Sequence, residues 1–217
     1  MAYIKNGATM FNLKLTQISQ WAINSLSDSF DRLPKTDHRD GNYRLRRYSS
    51  VQLSNSDNSK YEKLESAPFN QSVQFNKYQG GVDRNFEEVE DGVIESGGML
   101  EICDTFLESC GFTDEHIIDI HQMRISTGGE TVPVSPEGVH QDGYRYIAMV
   151  GVNRHNIEGG DLLVYKEQTG YPFLGMVMQP GEMVMVNDKI LWHSAKPIRT
   201  IDAERDGYMD AFILTAG

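Results

Sequence analysis

His140-Gln141-Asp142-Gly143, followed by the apolar and aromatic run YRYIAMVGV over 144–152, is the stretch that decides the fold. In an extended segment alternate side chains share a face, so His140 and Asp142 converge while Gln141 points away. Gly143 permits a tight turn, and the run behind it has the length and composition of a buried strand. Ahead of the triplet, TVPVSPEG over 131–138 is rich in turn formers, which places His140 and Asp142 at a corner between strands. A single histidine, His193, stands 193 − 142 = 51 residues beyond Asp142, after Met183-Val184-Met185-Val186 and Ile190-Leu191-Trp192. A histidine in so apolar a pattern needs a polar partner. The separation leaves room for several strands to run out and back, so a two-sheet barrel returns His193 to the corner. Two imidazoles and one carboxylate on one face of a divalent iron leave the opposite face open for a cosubstrate and oxygen.

Outward from that corner the chain divides into two textures. From His116 onward the period is that of strands, expected over 118–125, 144–152, 161–165, 173–178, 182–186 and 211–214. Gly159-Gly160, Gly170 and Pro180-Gly181 separate them. Closely spaced strands with glycine and proline turns indicate an antiparallel sandwich or jelly roll. Before His116, Leu15, Ile18, Ala22 and Leu26 recur at helical spacing and predict an amphipathic helix over roughly residues 10–30. A second helix is expected over 96–110, with Met99, Ile102, Cys103, Phe106 and Leu107 on one face and Gly111 as its stop. Residues 69–75 read as a short strand, 49–59 as an exposed loop, and Arg44-Leu45-Arg46-Arg47 as a solvated strand or loop. The expected class is α+β, mainly β. A double-stranded β-helix core of the jelly-roll or cupin-like kind spans 116–217, a helical and loop N-terminal part spans 1–115, and both belong to one domain, 1–217.

Composition narrows the partners. A net charge of −11 works against a general electrostatic grip on phosphates, so no nucleic-acid partner is expected. No apolar run approaches bilayer-spanning length and no charged leader precedes an apolar signal core, which predicts a cytoplasmic protein without a membrane partner. Cys103 and Cys110, seven apart on one helical face, are too far apart along the axis for a disulfide and read as core residues. His38, His116 and His121 lack carboxylate neighbours in register, and His155 reads as structural. The sequence sets no oligomeric state.

The combination of motifs is similar to one known family. His140-Gln141-Asp142-Gly143, VNRHNIEGG over 152–160 and HSAKPI over 193–198 carry the likeness. Upstream it continues through Phe69-Asn70-Gln71-Ser72, Phe75-Asn76 and Gly80-Gly81-Val82-Asp83-Arg84, so that it covers most of the chain beyond about residue 40. The chain resembles the 2-oxoglutarate/Fe(II)-dependent dioxygenases that include bacterial free L-isoleucine hydroxylases. The resemblance implies that His140, Asp142 and His193 are the metal ligands and that Fe(II), 2-oxoglutarate and O2 are used. It also implies hydroxylation of an unactivated C–H of a free L-amino acid or similar small metabolite, with succinate and CO2 as coproducts. No catalytic side chain beyond the ligands is implied.

One position departs from the family pattern. Where the last strand typically begins Gly-Tyr-Arg-Asp, with the arginine pairing the distal carboxylate of 2-oxoglutarate, this chain has Gly207-Tyr208-Met209-Asp210. A methionine cannot bind a carboxylate through paired hydrogen bonds. Arg205 and Arg124 are the candidate replacements, with an ion pair to Asp210 as the competing role for Arg124. Arg145, just past the metal turn, is the candidate partner for a substrate carboxylate, with a surface arginine as the competing reading. Met209 also motivates two alternatives: a metal-binding barrel that serves as a ligand-binding module, and an iron oxygenase that does not use 2-oxoglutarate.

Overall fold

The computed structural model describes residues 12–53, 60–112 and 116–217 and turns these patterns into the following elements. In chain order they are β1 (Leu13–Gln17), α1 (Gln20–Ser27), a 3-10 turn (Asp28–Arg32), β2 (Arg44–Leu53), β3 (Tyr61–Lys63), α2 (Asp91–Ile94) and α3 (Gly97–Cys110). There follow β4 (Ile118–Thr127), β5 (Tyr146–His155), β6 (Ile157–Gly159), β7 (Leu162–Tyr165), β8 (Leu174–Met176), β9 (Glu182–Asn187), β10 (Trp192–Ala195), β11 (Ile198–Thr200) and β12 (Gly207–Ala216).

A seven-stranded antiparallel sheet, ordered β1-β9-β5-β12-β4-β2-β3, forms the larger layer. The smaller layer is β10-β7-β8 and β11-β6, extended by single bridges from Val132 to Ile198 and from His140 to His193. This is the mainly β, double-stranded β-helix arrangement that the strand spacing predicts.

Strand parity sorts the large sheet into two faces. Ala148 and Val150 of β5, Met183 and Met185 of β9, and Phe212 and Leu214 of β12 are buried in the cluster that holds Ala22, Leu26, Met99, Ile102 and Phe106 of the two longer helices. The alternate residues, Ile147, Met149, Val184 and Val186, pack with Leu162 and Val164 of the smaller layer. Each fully buried aliphatic or aromatic side chain contributes roughly 1.5–3 kcal/mol. Helix α3 is bounded as its sequence demands: the Ser96 side chain accepts from the Met99 amide, and Gly111 closes the last turn in the left-handed region. Cys103 and Cys110 are free and buried. Among the described residues no helix is long and apolar enough to cross a membrane.

The N-terminal part departs from expectation. The helix predicted from about residue 10 starts at Gln20, capped by Ser19, whose side chain accepts from Ala22. Leu13–Gln17 is instead an edge strand on β9, which leaves Leu15 exposed rather than on an apolar helical stripe. Residues 10 and 11 lie outside the described residues. The loop expected over 49–59 is strand as far as Leu53, because its serines are used: Ser50 donates to Asp119 and Ser49 accepts from the Val89 amide. Residues 54–59 lie outside the described residues. The strand expected over 69–75 shrinks to a bridge between Phe69 and Arg84, since Asn76 turns the chain by accepting from the amides of Tyr78 and Gln79. This part therefore contributes three strands to the large sheet, in addition to its helices.

Candidate active site

His140 and His193 are joined directly by the backbone: each donates its N–H to the other's carbonyl, both at 2.9 Å. That bridge sets the two imidazoles 4.2 Å apart, centroid to centroid. Asp142, two residues past His140, lies on the same side, its Oδ1 3.6 Å from His140 Nε2 and its Oδ2 3.4 Å from His193 Nε2. One ligand atom from each of the three falls within 4.8 Å of the others. His140 Nδ1 lies 2.9 Å from the Gly138 carbonyl, which fixes the proton there and leaves the Nε2 lone pair free. Two neutral nitrogen donors and one carboxylate oxygen converging from one side fit a divalent transition ion. Gly143, at φ 96°, makes the turn, and a Cβ there would stand 2.8 Å from the Phe75 ring.

A second carboxylate, which the sequence reading passed over, braces this corner. Asp188, just past β9, is fully buried at its side chain. Its Oδ2 accepts from the amides of Asp142 and Gly143 at 2.8 and 2.7 Å, and its Oδ1 lies 3.7 Å from His193 Nδ1. One side chain thus holds the His-x-Asp turn by hydrogen bonds and faces the distant histidine through its charge. Burial and the charge of Asp142 push its pKa up to about 6. Burial also disfavours the charged form of Asp142, but its hydrogen bond with His193 and both imidazoles outweigh that and hold it well below the usual carboxylate range. Burial and the neighbouring His193 lower His140. For His193 burial acts the same way, yet the hydrogen bond and charge of Asp142 raise it. Gln71 completes the brace by donating to Asp142 Oδ1 at 2.8 Å.

Gln71, His140, Asp142 and His193 form part of the wall of a cavity of about 150 Å³ between the layers. Its walls differ. One is apolar, with Met149, Leu162, Met178, Met209 and Ile213. The other is basic, with Arg44, Arg46 and Arg84. Parity on β2 puts Arg44 and Arg46 on the cavity face, opposite Ile125 and Met123 of β4, while Leu45 and Arg47 face the helices. The run Arg44–Arg47 is therefore not a solvated segment: Arg44 and Arg46 are 9% and 8% exposed. Arg84, on the bridge to Phe69, is buried as well. In the sequence, the alternation of Arg44 and Arg46 around Leu45 next to an aromatic strand was the available sign.

The three arginines singled out from the sequence lie off this cavity. Arg124 grips Asp210 through Nε and Nη2 at 2.6 and 2.8 Å, reaches Asp31 through Nη1 at 2.8 Å, and lies over the Tyr208 ring. Its parity on β4 places it on the helical side of the sheet, the ion-pair role that competed with cosubstrate binding. Arg205 is exposed and pairs with Asp202. Arg145 is exposed too, its guanidinium 5.8 Å from the Phe112 ring centre and 5.6 Å from that of Tyr146. None of the three lines the cavity.

Met209 does line it, and its cross-strand partner on β5 is Arg154. Arg154 Nη2 donates to the Gly159 carbonyl at 2.7 Å, while Nη1 is buried with no hydrogen-bond partner among the described residues. A Cβ on Gly160, which itself lines the cavity, would stand 3.1 Å from both that Nη1 and the Met209 sulfur. Arg154 itself stands behind this lining, with Gly160 and Met209 between it and the cavity.

The fold recurs among solved structures. A bsmA homolog from Methylobium petroleophilum PM1 is 23% identical, with a TM-score of 0.75, 90% of this chain covered and 80% of that one. The IDO of Bacillus thuringiensis is 18% identical, with a TM-score of 0.76 and coverage of 95% and 93%. TqaL, an Fe(II)/α-ketoglutarate-dependent dioxygenase, is 13% identical, with a TM-score of 0.70 and coverage of 94% and 82%. At these identities the likeness is one of fold. No curated protein matches the sequence. Residues 27–215, however, match the pattern of the 2OG-Fe dioxygenases, whose members use Fe(II), 2-oxoglutarate and O2. With a His-Asp-His corner on a cavity between the layers and that match along nearly its whole length, the chain belongs to the 2OG-Fe dioxygenase family.

Proposed function

We propose that His140, Asp142 and His193 hold Fe(II) and that the enzyme hydroxylates an unactivated C–H of a free L-amino acid or a similarly small metabolite. Substrate, 2-oxoglutarate and O2 are consumed, and hydroxylated product, succinate and CO2 are released. The observation that carries this reading is the placement of the three donor side chains on the wall of one small cavity. A volume of about 150 Å³ suits a metabolite rather than a folded polypeptide.

The bound metal and keto acid supply the oxidant; the chain supplies geometry and charge. The Gly138 carbonyl and Asp188 orient the two imidazoles, and Gln71 holds one oxygen of Asp142. The apolar wall keeps water from the reacting C–H. Arg154, opposite Met209 with a buried Nη1 that has no hydrogen-bond partner among the described residues, takes the distal carboxylate of the cosubstrate, so that the cation missing from β12 is supplied by the neighbouring strand. This weakens the reading as a non-catalytic module, which rests on Met209.

The test is succinate formation with Fe(II), ascorbate, 2-oxoglutarate and each free L-amino acid in turn, with the products weighed by mass spectrometry. One amino acid should gain a single oxygen atom with matching succinate, and His140→Ala should abolish both. Undiminished turnover in that variant removes the metal assignment, and an unmodified panel removes the amino acid as substrate class.

A further inference from the structure

Arg46 and Arg84 feel the charges of Asp40 and Glu137 but form no ion pair with either. Arg44 beside them has its counter-ion, Asp40, at 2.6 Å. Among the described residues neither Arg46 nor Arg84 has a carboxylate within 4 Å, although both are more than nine-tenths buried. Arg46 contacts the Met123 sulfur at 3.6 Å and lies over the Phe86 ring. Arg84 lies over the Phe69 ring and donates through Nη2 to Gln71 Oε1 at 3.1 Å, while its Nε is buried without a partner. Soft and aromatic contacts return only part of the several kcal/mol that desolvating a guanidinium costs. Burial, with the like charges of Arg44 and Arg84, lowers the pKa of Arg46 to about 9. Both side chains line the cavity.

The same cavity holds a carboxylate whose charge acts on Arg44, Arg46 and Arg84 but which forms no ion pair with any of them. Glu137 lines it, with Oε2 buried and without a hydrogen-bond partner among the described residues and Oε1 3.5 Å from His140 Nε2. A ligand with one negative and one positive end would satisfy both groups. Gln71 ties this end to the chemistry, since it accepts from Arg84 and donates to Asp142. A group bound to the arginines is therefore held in fixed relation to the metal ligands.

We infer that Arg46 and Arg84 form the subsite for the substrate's carboxylate and that Glu137 receives its ammonium, so that the enzyme selects zwitterionic α-amino acids over their amides and des-amino analogues. The inference rests on the hydroxylase reading above and gives it a recognition element.

Binding heats test it on the Fe(II)- and 2-oxoglutarate-loaded protein without oxygen. The probes are the free L-amino acids, then the α-amide and the des-amino acid of the tightest binder. The amide should bind at least about 30-fold more weakly, as should the amino acid to Arg46→Gln, the loss expected for a bidentate charged contact. Glu137→Gln should weaken the amino acid but not the des-amino acid. Because Arg46→Gln removes an unpaired buried charge, the ligand-free variant should melt no lower than the parent. A purely structural arginine would lower it. Amide and acid binding alike, full affinity in Arg46→Gln, or no amino acid bound at all would overturn the subsite. Succinate formation with any substrate would still leave the oxygenase reading standing, which separates the two failures.

Discussion

The metal corner and the basic wall face the same cavity, yet they are built in opposite ways. At the corner the hydrogen bonds that set the donors are made: His140 to the Gly138 carbonyl, Gln71 to Asp142 and the His-x-Asp amides to Asp188, while His193 Nδ1 faces Asp188 Oδ1 at 3.7 Å by charge alone. Across from it, Arg46 and Arg84 are buried without an ion pair among the described residues, and Arg84 Nε has no hydrogen-bond partner there. A satisfied polar network is rigid, whereas an unsatisfied one is poised to bind what satisfies it. The contrast separates the part of the site that is preorganised for the metal from the part that chooses the ligand.

Breaking the corner should have the largest effect. Asp142→Ala or His193→Ala removes one of three donors, and succinate formation is expected to fall by more than about 1000-fold, with Fe(II) affinity lost in parallel. Asp188→Asn keeps the shape but weakens the acceptor for the two amides and removes the charge facing His193. Metal affinity should drop by about 10–100-fold while the far-UV circular dichroism stays that of the parent. Unchanged metal binding would show that the corner does not depend on its brace.

Variants of the basic wall should move affinity more than rate. In Arg84→Gln the KM for the substrate should rise about tenfold, with a smaller fall in kcat through Gln71 and Asp142. A fall in kcat alone would erase the distinction between the two walls. The two remaining arginines sharpen the comparison further. Arg154→Gln is expected to weaken 2-oxoglutarate binding by about tenfold, whereas Arg124→Gln should leave it unchanged. That second variant instead costs about 3 kcal/mol in denaturant unfolding, because it strands the buried Asp210. Loss of cosubstrate affinity in Arg124→Gln would return that arginine to the site.

The same contrast explains what was legible in the sequence. His140 and Asp142 are two residues apart on an extended segment, so periodicity alone put them on one face, and His193 stood out as a histidine in an apolar run. The core strands and α3 were visible for the same reason: their apolar pattern is local. The basic wall was marked only by the alternation of Arg44 and Arg46, because its parts come from β2 and from the bridge at Arg84, far from each other and from His140 in the chain. Their meeting depends on strand order, which a one-dimensional pattern does not contain. Asp188 was hidden because a carboxylate beside Asn187 at a strand end looks like a turn residue. Arg124 was misplaced by a single step of parity, since strand position without register cannot say which face a side chain takes. Leu13–Gln17 was drawn into a helix because three of its five side chains are exposed at the edge of the sheet and the apolar spacing was shared with the true helix behind it.

The most direct measurement is an anaerobic titration of the Fe(II)-loaded protein with 2-oxoglutarate, followed through the weak visible metal-to-ligand charge-transfer absorption. The parent should give a saturable band that His193→Ala lacks and that Arg46→Gln retains. Absence of the band in the parent at saturating 2-oxoglutarate would contradict the assignment of this cavity to iron and keto acid.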